Sequence, residues 1–242
     1  MRAEVSKKVV GKKAAASHAV DLIGTNIVLG LGTGSTATYF LEELARKISI
    51  DGLDIVCVAT SKVTFENAKD LNIPVADMNC ISKIDLVVDG ADEFDKKLNM
   101  IKGGGGALLK EKIVASAAES MIVITDYSKE VDTLGNFPLP VEVVKFGVHA
   151  TENLIKILLL DLGYKDFKIL PRKNQNRDFI SDEGHFIIDL DLGEITQLSQ
   201  LQNSLLSCPG VVETGLFLGL AKKIIIGQAD GSCRVLGSES IP

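Results

Sequence analysis

Four short apolar runs in the first half of this chain constrain its fold more than any other feature. They are NIVLGLG (26–32), LDIVCVAT (53–60), IDLVVDG (84–90) and MIVITD (121–126). None alternates between apolar and polar residues. Patterns of helical spacing separate them: TATYFLEELARKI (36–48), KVTFENAKDLN (62–72) and ALLKEKIVASAAES (107–120). Strands without a polar face must be covered on both sides, and strands joined through helices run parallel. This half therefore predicts a parallel sheet between two helical layers.

After GNFPLPVEV (135–143) the rhythm changes. VEVVKFG (141–147) reads as a strand and ATENLIKILLLDLG (150–163) as a helix. DFKILPR (166–172) and HFIIDLDL (185–192) read as an adjacent strand pair, TQLSQLQNSLLSCPG (196–210) as a helix and VVETGLFLG (211–219) as one closing strand. That order, β-α-β-β-α-β, is the split-βαβ pattern. The tail KKIIIGQADGSCRVL (222–236) reads as a hairpin with an Asp-Gly turn that returns to the first half. The expected class is α/β: a Rossmann-like parallel-sheet domain with a smaller ferredoxin-like α+β domain inserted before the C-terminal segment. The expected boundaries are 1–136, completed by 218–242, for the first domain and 137–217 for the second.

Bulk properties narrow the function. With 46% apolar and 24% charged residues, the composition is that of a soluble globular protein. A net charge of −6 argues against nucleic acid as a partner. No apolar run reaches the roughly 18 residues of a membrane span, and the basic N-terminal stretch lacks the hydrophobic block of a signal peptide. The four cysteines are scattered, which suits reduced thiols in the cytoplasm. His149 and His185 lie far apart in sequence, and no metal role is assigned to them.

Four polar motifs follow the four apolar runs: GTGST (32–36), TSK (60–62), DGAD (89–92) and TDYSK (125–129). Ligands of an open parallel sheet bind in the crevice outside the carboxyl ends of its strands, so all four motifs are expected at one edge. In the first, glycines allow close approach to an anion, Ser35 and Thr36 supply hydroxyls, and the following helix presents its first N–H groups; this reads as a phosphate loop. The glycine spacing is not G-x-G-x-x-G, and Thr60 stands where a dinucleotide site needs an acid. A Gly-Lys-Ser/Thr tripeptide is also missing, which removes the nucleoside-triphosphate P-loop.

Asp89 and Asp92 bracket Gly90-Ala91 at the end of a buried strand, where crowded carboxylates can have their pKa values driven apart and so suit proton transfer. A magnesium site on these acids stays open, whereas the spacing does not fit an EF-hand. Asp95 with KKLN reads as a solvated turn. IKGGGG (101–106) adds a cation, Lys102, and a backbone whose N–H groups can face a ligand. Glu111 falls in or just past the first turn of the next helix, from which it can lean back toward Asp89 and Asp92 as a general base.

GLGTGSTA, DGADE, IKGGGGALLKEK and TDYSK with LGNFPLPVEV together resemble the type A ribose-5-phosphate isomerase family, across nearly the whole chain. The resemblance implies reversible aldose–ketose isomerisation of D-ribose 5-phosphate to D-ribulose 5-phosphate through an enediolate, in the non-oxidative branch of the pentose phosphate pathway. It implies no metal and no cofactor. A sugar phosphate would be the small-molecule partner, and the protein a cytoplasmic homodimer or homotetramer without nucleic-acid or membrane partners. Residue by residue, Glu111 matches the proton-transferring base, and Asp89 and Asp92 match aspartates that contact sugar hydroxyls and assist ring opening. Gly90 and Ala91 lie between them in the substrate-binding stretch. Lys102 with the N–H groups of Gly103, Gly104 and Gly105 matches the enediolate-stabilising group. Thr33, Gly34, Ser35 and Thr36 match the substrate loop, Lys129 a further substrate-binding lysine, and Lys12 a lysine that reaches the phosphate. Lys110 stands where some members have arginine, and Gly106 where some have alanine.

Three other functions compete. A sugar-phosphate sensor would use the same sheet edge but needs no Glu111, and the roughly 25 residues before the first strand are few for a DNA-binding helix-turn-helix. A CoA-transferase-like enzyme would form a thioester on its glutamate. A nicotinamide oxidoreductase lacks the acid after its second strand.

Overall fold

The computed structural model describes residues 2–238. The chain begins with helix α1 (Arg2–Asp21), then runs through β1 (Ile27–Leu31), α2 (Ser35–Asp51), β2 (Ile55–Ala59) and α3 (Lys62–Asp70). Next come β3 (Ile84–Asp89), the two-residue strands β4 (Glu93–Phe94) and β5 (Met100–Ile101), α4 (Leu108–Ala117) and β6 (Ala118–Asp126). The following stretch holds β7 (Leu139–Val143), α5 (Val148–Asp161), β8 (Lys168–Pro171), β9 (Lys173–Asn174), β10 (Arg177–Asp178), β11 (Phe186–Asp191), α6 (Leu198–Leu206), β12 (Val211–Thr214) and β13 (Leu216–Phe217). The chain returns through β14 (Lys223–Gly227) and β15 (Cys233–Gly237).

The main sheet has the order β15-β14-β6-β3-β1-β2, parallel throughout except for β15, which pairs antiparallel with β14 at the edge. Its side chains alternate between two cores, which is why its strands have no polar face. Leu29, Leu31, Val88, Ile122 and Ile124 pack with Ala15, Ala16 and Ala19 of α1 and Phe40, Leu41 and Leu44 of α2. Val87, Val123, Ile224 and Ile226 pack on the other side with Val114 and Ala115 of α4, Phe94, Met100 and Phe217. Helix α4 ends at Ala117, earlier than its pattern suggests. Ala118 and Ser120 are taken into β6, where they pair with Ile84 and Leu86.

The second sheet has the order β12-β7-β11-β8, all antiparallel, which is the ferredoxin-like arrangement of β-α-β-β-α-β. Val141, Val143, Ile188 and Leu190 pack there against Ile155 and Leu159 of α5 and Leu201 and Leu205 of α6. Strand β7 starts at Leu139 and so contains Pro140. The missing N–H is tolerated because β12 pairs only as far as Val141, while the Pro140 carbonyl accepts from Gly215 N. The run read as one closing strand is two. Gly215 ends β12, and β13 crosses into a three-stranded ribbon with β5 and β4. A β-carbon at Gly215 would overlap the Lys102 carbonyl, so the crossing depends on glycine. Among the described residues no helix is long and apolar enough to cross a membrane.

Candidate active site

The four motifs occupy the loops after β1, β2, β3 and β6, at the carboxyl edge of the main sheet. Thr33, Gly34, Ser35, Thr36, Gly90, Ala91, Asp92, Lys102, Gly103, Gly104, Gly105, Glu111, Lys12 and Lys129 all line one crevice there, and Thr125 joins them. Asp89 lies beneath its floor and is fully buried. Its Oδ1 accepts from Thr33 N at 3.0 Å and Gly90 N at 2.7 Å. Gly32 must be glycine, because a β-carbon would overlap that carboxylate.

Lys102, only 2% exposed, is the centre of the site. Its Nζ lies 2.9 Å from Asp89 Oδ2, 3.1 Å from Glu111 Oε1 and 2.8 Å from the Gly90 carbonyl. Glu111 projects from the first turn of α4 and is 4% exposed. Its second oxygen, Oε2, is buried and has no hydrogen-bond partner among the described residues. Burial pushes the Glu111 carboxyl up to about 8; the Lys102 charge opposes this rise, and Asp89 adds to it. Burial likewise pushes Asp89 above the ordinary carboxylate range, against Lys102 and the two N–H groups. For Lys102 burial pushes downward, but Asp89 and Glu111 outweigh it and hold the ammonium charged well above its usual range. The arrangement is a fixed cation beside a carboxyl that exchanges its proton near neutral pH.

Asp92 is partly exposed, and its Oδ2 accepts from Gly104 N at 2.7 Å. Of the glycine N–H groups expected to face a ligand, that of Gly104 is therefore already engaged. At the other end of the crevice α2 begins at Ser35, with Gly34 (φ 118°) in the N-cap position and no side-chain cap. The first N–H groups of α2 thus point outward beside a cation, since Lys12 Nζ donates to Ser35 Oγ at 2.9 Å. Lys129 also lines the crevice, with its Nζ 6.0 Å from the centre of the Phe137 ring. The Thr33 hydroxyl turns away into a cluster with Thr60 (2.7 Å), Ser61 (2.9 Å) and Thr64 (3.0 Å), which locks the loop after β1 to the start of α3.

Asp95 is buried, contrary to the solvated turn expected. It accepts from Lys97 N, Asn99 N and Asn99 Nδ2 and so organises the β4–β5 turn. His149 pairs with Glu152 and His185 with the buried Glu142, both away from the crevice. Among the described residues no group of three or more His, Cys, Asp or Glu side chains is placed to hold a metal ion. Sequence reasoning missed Thr64, and it also missed Arg172, whose guanidinium reaches the glycine run. TSKVT offered a signal for Thr64, while Arg172 has none in its local sequence.

A cationic, helix-capped end and an acid–base end, joined on a doubly wound sheet, define an enzyme of the aldose–ketose isomerase class. Residues 56–231 match the family described as ribose 5-phosphate isomerase A (phosphoriboisomerase A). The chain belongs to that family. It is 47% identical over 232 residues to the ribose-5-phosphate isomerase A of Dinoroseobacter shibae, covering 96% of this chain and 89% of that one. Among solved structures, ribose 5-phosphate isomerase from Plasmodium falciparum superposes with a TM-score of 0.88 at 36% identity, covering 95% and 98% of the two chains. A D-ribose-5-phosphate isomerase in complex with phospho-erythronic acid superposes at 0.84 with 37% identity, covering 94% and 97%.

Proposed function

We propose that this protein interconverts D-ribose 5-phosphate and D-ribulose 5-phosphate, with Glu111 as the base that moves the carbon-bound proton. The observation that carries this reading is the buried, unpartnered Oε2 of Glu111, held beside the Lys102 ammonium. The phosphate sits at the start of α2, against Ser35, Thr36, Lys12 and Lys129. The sugar then extends over Gly90 and Ala91 toward Asp92, which contacts its hydroxyls and assists ring opening. The buried Asp89 acts from beneath by holding Lys102 and the Thr33 and Gly90 N–H groups. In the open-chain aldose, Glu111 takes the proton from C2. The electron pair forms the C1=C2 bond as the C1 carbonyl becomes an oxyanion. Lys102 and amide donors of the glycine run stabilise that charge. Glu111 returns the proton to C1, while O1 gains and O2 loses a hydroxyl proton through Asp92, leaving a C2 ketone. Each proton transfer is worth about 10²–10⁴-fold in rate.

The same reading makes the protein a metal-independent cytoplasmic homodimer or homotetramer. Free thiols at Cys57 and Cys208 support a reducing compartment, and the exposed Leu154, Ile157 and Leu160 on α5 support an oligomer contact. The test is conversion of ribose 5-phosphate in excess EDTA, with the molecular mass in solution measured alongside. Rapid conversion supports the reading. Conversion restored only by a divalent cation would turn the aspartates into metal ligands, and none under either condition would favour a non-catalytic sensor.

A further inference from the structure

Four glycines have no side chains with which to fix the direction in which each peptide faces. Here that direction is imposed from the second sheet. Arg172, the residue after β8, donates through Nη1 to the Gly103 carbonyl at 2.7 Å and to the Gly104 carbonyl at 3.2 Å. The guanidinium is itself fixed by Asp189 of β11, which accepts from Nε at 2.9 Å and pairs with Nη2. Phe179 packs beside it, with the guanidinium carbon 5.8 Å from the ring centroid. The ring also covers Gly106 so closely that a β-carbon there would overlap it. A lysine cannot reproduce this arrangement, because it lacks the planar fork that serves a carboxylate and two carbonyls together.

A trans peptide points its C=O and N–H in opposite directions. Drawing the Gly103 carbonyl to Arg172 therefore aims the Gly104 N–H away from it, and that N–H meets Asp92 Oδ2 at 2.7 Å. The Gly104 carbonyl is drawn the same way, which turns the Gly105 N–H from Arg172. The charged donor also polarises both amides, strengthening their N–H ends.

We propose that Arg172 is a positioning residue of this active site, acting through the Gly103–Gly104 and Gly104–Gly105 peptides to fix Asp92 and to aim the Gly105 amide at the developing enediolate oxygen. This inference rests on the isomerase reading above.

Turnover of ribose 5-phosphate by the unaltered protein is measured first, since its absence removes the isomerase reading itself. With that activity established, Arg172→Ala and Arg172→Lys are compared for kcat, KM and thermal midpoint. Arg172→Ala is expected to lose about 10²-fold in kcat, the scale of a displaced or lost oxyanion donor, with KM within about threefold. Millimolar guanidinium should restore part of that kcat, and Arg172→Lys should recover only part of it. Wild-type kcat in Arg172→Ala overturns the proposal. So does guanidinium that restores the thermal midpoint but not kcat, which marks a purely structural tie. If Arg172→Ala does not fold, Arg172→Lys decides: lowered kcat at unchanged KM supports the role, and wild-type kcat removes it.

Discussion

Glu111 sits where three electrostatic effects disagree, and their balance sets the working range of the site. Burial and the neighbouring Asp89 favour the protonated acid, while Lys102 favours the carboxylate, leaving the group at about 8. A base acts only when deprotonated, so kcat/KM should rise with pH and level off above about 8, falling tenfold per unit well below it. A profile with its inflection near 4.5, the ordinary glutamate value, would show that burial does not raise this carboxyl in the working enzyme. Asp89→Asn deletes the negative neighbour and should move the inflection to lower pH in the residual activity. Glu111→Gln keeps the shape of the side chain and loses its proton affinity. Turnover should fall by about 10²–10⁴-fold while calorimetry still detects sugar-phosphate binding. Retained turnover would sink the assignment. Lys102→Ala should lower kcat far more than it raises KM, because the charge it meets develops only in the enediolate.

Elements carry the site only if they approach closely enough, and one such close approach is between α1 and β14. A β-carbon on Gly227 would overlap the Gly11 carbonyl, and one on Gly11 would overlap the Gly227 carbonyl. This contact sets the depth of α1 and hence the reach of Lys12, the next residue, to Ser35. Gly227→Ala should cost about 1–3 kcal/mol by overpacking, read as a lower urea midpoint, and should raise KM as Lys12 is displaced. Gly24→Ala meets nothing within 4 Å and serves as the control, with stability within about 0.5 kcal/mol of wild type. Helix α1 is also where sequence reading fell short. Its buried face is built largely from alanines, which give little hydrophobic periodicity, and its central Gly11 packs against Gly227. The four strands of the first half were legible because short apolar runs alternating with helical patterns fit a parallel sheet, and the sheet rule then placed every motif at one edge. The ribbon of β4, β5 and β13 was not legible, because two-residue strands leave no periodicity. Asp95 was misread for a related reason: two of its three donors are backbone N–H groups, which no residue type announces.

At the scale of the whole molecule, two sheets are joined by the ribbon of β5 and β13, whose Met100 and Phe217 pack in one core and Ile101 and Leu216 in the other, and by buried polar contacts. Glu93 of β4 accepts from Gly135 N and Phe137 N, both at 2.8 Å, at the point where the chain enters the second sheet. Lys112 of α4 donates to Glu213 Oε1 at 2.7 Å and to the Thr214 carbonyl at 2.6 Å, where the chain leaves it. Lys102 N donates to the Gly215 carbonyl, so the residue at the centre of the site is also a junction between the sheets. Opening this interface would leave donors and acceptors unpaired beside apolar surface, at about 1–3 kcal/mol for each buried group. Separation should therefore coincide with global unfolding. Amide exchange at Ile122 of β6 and Ile188 of β11, followed against urea, should show one common midpoint. Two midpoints would mean that the sheets unfold independently and that the crevice can loosen without loss of its main-sheet half. Glu93→Ala removes one junction by stranding two N–H groups. It should lower the midpoint at Ile188 at least as far as that at Ile122, because the second sheet then loses its anchor at the entry point. A larger loss at Ile122 would assign Glu93 to the main-sheet core and not to the junction.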